Sequence, residues 1–135
     1  MHARTFAASV GPVVVAEIVI DVVHQLISPT TDFSNFRNVS VITWFVLVLC
    51  FVAFPLWAGF RVSRAMPGRW WSALAGASVL IGTLIVNIVS QFWSVSPFDS
   101  LWLYASLSTL LAAPVCAVLG LIGGAFQRVR GAYGA

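Results

Sequence analysis

The chain has 135 residues, of which 60% are hydrophobic and 8% charged, with a formal net charge of +3 and a mean hydropathy of +0.97. That composition excludes a soluble domain of this size, because too little polar surface is available to face water. The positive balance comes from arginines that flank apolar runs rather than forming a patch interleaved with exposed aromatics, which excludes nucleic acid as a partner.

A helix needs about 20 consecutive apolar residues to cross a hydrocarbon core of about 30 Å, and four runs meet that length. The first, Phe6 to Ile27, follows Arg4 and so resembles a signal peptide in outline. It carries Glu17, Asp21 and His24, however, and no small-x-small cleavage site follows Ile27, so it is read as a retained helix. Ser28 to Ser40 is a polar connection too short for a domain; its Asn38-Val39-Ser40 acceptor triplet carries little weight outside a secretory context.

The second run, Val41 to Phe60, ends at a basic turn over Val62 to Arg69 that contains Pro67-Gly68. The third, Trp71 to Trp93, is joined to the fourth, Leu101 to Phe126, by the short segment Ser94 to Ser100, which predicts a tight antiparallel hairpin. The Gly-rich tail from Gln127 is expected to fray. Strict polar-apolar alternation is sustained nowhere, which argues against a transmembrane barrel. The expected fold is therefore all-α: one four-helix transmembrane domain in an antiparallel bundle over residues 1–135.

Arginine near a helix end stays on the cytoplasmic side. Arg4, Arg61, Arg64, Arg69, Arg128 and Arg130 fall on one side of the four spans, and Arg37 alone falls on the other, with Asp32 and Asp99. Both termini are therefore expected in the cytoplasm. Trp44, Trp93 and Trp102 then mark the outer interface, and Trp57, Trp70 and Trp71 the inner one. The absence of lysine suggests a GC-rich bacterial genome, and hence a bacterial inner membrane.

Positions 17, 21 and 24 fall at about 0°, 40° and −20° on a helix, a single stripe that extends about 10 Å from mid-membrane toward the outer surface. Each ionisable group at bilayer depth costs roughly 2.5–3.5 kcal/mol on the lenient insertion scale, so the stripe should face something other than lipid. Gln25 borders it. If the third helix packs alongside, Asn87 and Gln91 meet the stripe at matching depth, and this outer half of the bundle holds a polar seam.

Three readings of the stripe stand together. Neighbouring carboxylates in a low dielectric cannot both ionise cheaply, so one retains a proton that it can exchange against a substrate. Carboxylates and an imidazole on adjacent turns can also share a metal ion, although one helix would then supply every ligand, and no metal or other cofactor is assigned. The plainest reading is structural: the stripe hydrogen-bonds to Asn87 and Gln91, or to another subunit, and fixes helix packing.

An internal echo links the two halves of the chain. With a shift of 66 residues, Asp21-Val-Val-His-Gln25 lies over Asn87-Ile-Val-Ser-Gln91, as a duplicated helical hairpin would give. Pro55 and Pro114 interrupt the second and fourth runs and are candidate hinges. Cys116, Gly120 and Gly124 recur every four positions and form a face for close helix packing, within the chain or across a dimer. Cys50 and Cys116 lie mid-span with no Cys-x-x-Cys pair, and are read as small packing residues.

No nucleophile motif or phosphate loop is present, so an enzyme is not expected. Two functions fit. One is a small oligomeric carrier of a solute or cation, with Glu17 and Asp21 as coupling carboxylates, His24 as a proton partner, and Asn87 and Gln91 in the same cavity. The other is a non-catalytic accessory subunit or assembly factor, in which the stripe docks a helix of a membrane partner.

Overall fold

The computed structural model describes residues 1–27, 41–92 and 100–134, with side chains over 1–26, 41–90, 92 and 106–134. Every element among them is helical: α1 (His2–Ile27), α2 (Val41–Val48), a π-helical stretch Leu49–Ala53, α3 (Phe54–Ala65), α4 (Arg69–Ser78), α5 (Leu80–Gln91), α6 (Ser100–Leu111) and α7 (Ala113–Tyr133). Four helices are long and apolar enough to cross a membrane: His2–Leu26, Val41–Ala65, Arg69–Ser90 and Ser106–Tyr133. The connections 28–40 and 93–99, with the Asn38 triplet, Arg37, Asp32 and Asp99, lie outside the described residues, as do the side chains of Trp93 and Trp102.

The spans are longer toward the arginine-bearing end than the apolar runs alone imply. α1 begins at His2 and α7 continues to Tyr133, so the segment from Gln127 is helix and not a frayed tail. Arg128 and Arg130 have high helix propensity, and Arg130 sits in the last turn, where a cation is favoured by the helix dipole. The basic turn shrinks correspondingly to residues 66–68. Met66 takes an extended conformation (φ −136°, ψ 96°), the geometry that the ring of Pro67 imposes on the residue before it.

Three of the spans are broken in the middle, two of them at a proline. Pro55 has no N–H and its ring crowds the carbonyl of Phe51 four residues back. The chain answers by widening into the π-helical stretch, and the released Phe51 carbonyl accepts the Cys116 thiol from α7 at 3.7 Å. Pro114 stands at the start of α7, just past the break at Ala112. The third span breaks at Val79 with no proline. There Ser78 Oγ donates to the Leu74 carbonyl at 2.7 Å, competing for the acceptor that its own N–H would use, a side-chain bond that bends helices.

α3, α4 and α7 form the densest part of the bundle. A Cβ at Gly59 would overlap the Gly120 carbonyl, one at Gly76 the Cys116 carbonyl, one at Gly120 the Ser72 carbonyl and one at Gly123 the Leu56 carbonyl. The three backbones are thus in direct contact, and only glycine permits it. Lipid is as apolar as leucine, so helix association here depends on such close van der Waals and Cα–H···O contact rather than on hydrophobic burial. Pairing of Gly76 with Gly120 and of Ser72 with Gly124 makes α4 and α7 antiparallel. The face of Cys116, Gly120 and Gly124 is accordingly filled within the chain.

α1 lies on the other side, against α3, α5 and part of α4. Val10 and Val13 join Ala58, Val62, Met66, Ala75 and Val79 in one buried cluster, edged by Phe6, Phe54 and Trp71. Arg61 ties this end together: its Nε donates to the Ser9 carbonyl at 3.0 Å while its guanidinium lies 5.8 Å from the Trp57 ring centre. A parallel duplication would pair the first and fourth spans as it pairs the third and second. Among the described residues the second and third spans touch closely, whereas α1 and α7 flank them from opposite sides with no comparable contact. This contact pattern does not establish the duplicated hairpin that the 66-residue echo suggests.

Candidate functional site

Glu17 is completely buried, at 0% exposure, and is the largest fully buried side chain among the described residues. It is placed there by the register of two parallel helices. α1 meets α5 so that Glu17 stands level with Gly82 and Thr83, and the Thr83 hydroxyl donates to Glu17 Oε1. Among the described residues Glu17 Oε2 has no hydrogen-bond partner. It is seated against Gly82, where a Cβ would occupy its place, and the side chain of Ile18 also borders that glycine.

The rest of the stripe continues from this point. Asp21, one turn on, is half-buried and interacts electrostatically with both Glu17 and His24. His24 is 9% exposed and its Nε2 lies 2.9 Å from Thr43 Oγ1 on α2, which ties the far end of α1 to the second span. Either atom can be the donor, since the imidazole has two tautomers and the hydroxyl rotates. Cys50, in the π-helical stretch, is close enough to Glu17 and Asp21 for their charges to act on its thiol.

Glu17, Asp21 and His24 therefore share one polar seam, as their spacing indicates, but they do not converge on one point. Among the described residues no three His, Cys, Asp or Glu side chains are close enough to hold a metal ion. Asn87 is half-buried on α5, one turn beyond Thr83 and so at the level of Asp21. The side chain of Gln91 lies outside the described residues. On α5 the Glu17 carboxyl meets Thr83 and Gly82, and neither stands out as a motif. One signal was present in the chain: Thr83 is 66 positions from Glu17, the same offset that lays Asn87 over Asp21.

Chemically, a carboxyl with one oxygen bonded to a hydroxyl and the other bonded to nothing is under-satisfied in either protonation state. As a carboxylate it lacks charge compensation, and as an acid it has at most one partner for two oxygens. The fold and the site together define a class: an all-helical protein with four helices capable of spanning a membrane and a buried carboxyl between two of them. No family model, curated protein or solved structure matches the chain.

Proposed function

We propose that this protein is a small multi-pass carrier of the bacterial cytoplasmic membrane, non-enzymatic and oligomeric, which couples movement of a small solute to an ion exchanged at Glu17. The observation that carries this reading is the fully buried Glu17 carboxyl, whose Oε2 has no hydrogen-bond partner among the described residues. Ionisable groups inside membrane helices are costly and mark ion or substrate paths. Asp21, His24 and Thr43 extend the polar seam toward the opposite end from the arginines, and Asn87 borders it. In this reading both termini are cytoplasmic, because Arg4, Arg61, Arg64, Arg69, Arg128 and Arg130 gather at one end.

The accessory-subunit reading would require the stripe to face a partner. Glu17 instead faces α5 of its own chain, which favours the carrier. The test is electrical recording on the purified protein in solid-supported membranes, challenged with a panel of monovalent ions, ammonium, primary amines and neutral amino acids. At least one should elicit a current in the wild type that is lost in Glu17→Gln, with insertion and oligomer mass unchanged. Co-purification of a stoichiometric second polypeptide, with no current from the chain alone, would instead assign it as a subunit.

A further inference from the structure

Resting on the reading of Glu17 as an exchange site, we infer that the ion it binds is a bare proton, and that neither a metal cation nor an organic ammonium enters the site. The argument is steric and coordinative. A monovalent or divalent cation needs several oxygen ligands arranged around it. At Glu17 one carboxyl oxygen is taken by the Thr83 hydroxyl, and the other is buried against Gly82, where it occupies the place a Cβ would take, so no ligand can approach it from that side. The side chain of Ile18 also borders Gly82 and adds no ligand oxygen there.

The groups that face Glu17 supply a route for protons but no ligand cage. Asp21 and, beyond it, His24 belong to α1; Cys50, in the π-helical stretch of the second span, lies within electrostatic range of Glu17; α5 contributes Thr83 and Gly82, with no titratable group among its described residues. A proton requires only that one oxygen become a hydroxyl and occupies no volume of its own. The Gly82 contact thus acts as a size filter, and ion selectivity at this site is set by a missing Cβ.

Glu17 is the only glutamate in the chain, which permits a direct test without mutation. Protein made by cell-free synthesis with glutamate carrying 13C at the side-chain carboxyl, and embedded in lipid, gives a single carboxyl resonance that reports Glu17 alone. The resonance should move from its carboxylate to its carboxylic-acid position as pH falls, with a midpoint unchanged when sodium replaces potassium at equal ionic strength, or when calcium or methylammonium is added.

A midpoint displaced by any of these cations shows competition with the proton and overturns the inference, while leaving an exchange site in place. A resonance that never titrates overturns both the inference and the carrier reading. A resonance that titrates with no cation effect, in a protein with no Glu17-dependent current, keeps the proton site and removes the carrier. Gly82→Ala gives a second check on the same sample: the displaced carboxyl should shift its resonance, and an unchanged spectrum would contradict the filter.

Discussion

Thr83 of α5 donates its hydroxyl to Glu17 of α1, and this one bond joins the first and third spans at a position where each would otherwise bury an unsatisfied polar group. Thr83→Val keeps the shape and removes the donor. It should destabilise the fold by about 1–2 kcal/mol, toward the upper end of side-chain hydrogen bonds in membrane proteins, because the carboxyl is left without any partner. Thr83→Ser should restore most of that loss. Unfolding titrations in mixed SDS micelles measure both, and equal stability of the Val and Ser variants would show that the bond contributes nothing.

Gly82 and Gly11 are both helical glycines, yet their surroundings differ completely. A Cβ on Gly82 would overlap Glu17 Oε2, whereas one on Gly11 meets nothing within 4 Å. Gly82→Ala should therefore cost about 1–3 kcal/mol through overpacking. Gly11→Ala should be neutral or stabilise by up to about 1 kcal/mol, from helix propensity alone. Thermal unfolding in detergent, followed by helical circular dichroism, separates the two, and a common response would refute the contact.

Gly76 and Gly120 face one another where α4 crosses α7. Either alanine variant forces the same pair of backbones apart, so the second substitution should add much less than the first, a coupling of about 0.5–3 kcal/mol. Additive losses would mean that the two glycines act on separate contacts. Gly131→Ala, at the open end of α7, is the matched control and should leave stability unchanged.

His24 and Thr43 form the tie between α1 and α2, at 2.9 Å. A double-mutant cycle of His24→Ala with Thr43→Val should return a coupling of about 0.6 kcal/mol and no more than about 1.7 kcal/mol. A value of zero would mean that the packing of α1 holds the two helices together without this bond. Proton-exchange behaviour at Glu17 should survive Thr43→Val, because Thr43 is removed from the carboxyl by two turns of α1.

The parts of this architecture readable in the chain are those written locally. Span number follows from apolar length, and the shared face of Glu17, Asp21 and His24 follows from helical period. The glycine stripe on α7 announces close packing, though not with which helix. The π-helical stretch was half visible: Pro55 foretells a disturbed helix, but whether the chain kinks or widens depends on what takes up the Phe51 carbonyl, and Cys116 lies far away in sequence.

By itself, then, the sequence determined that the chain is helical, that four segments can enter a bilayer, and that a polar stripe lies along the first. Those properties depend on residue type and spacing within one segment. Only the tertiary structure decided that Glu17 meets Thr83 and Gly82 and that α7 wedges against α3 and α4. It also decided that α1 and α7 end on opposite flanks. Apolar helices offer one another many nearly equivalent faces in lipid, and the choice among them falls to short-range contacts between backbones and to the few polar atoms that must find a partner.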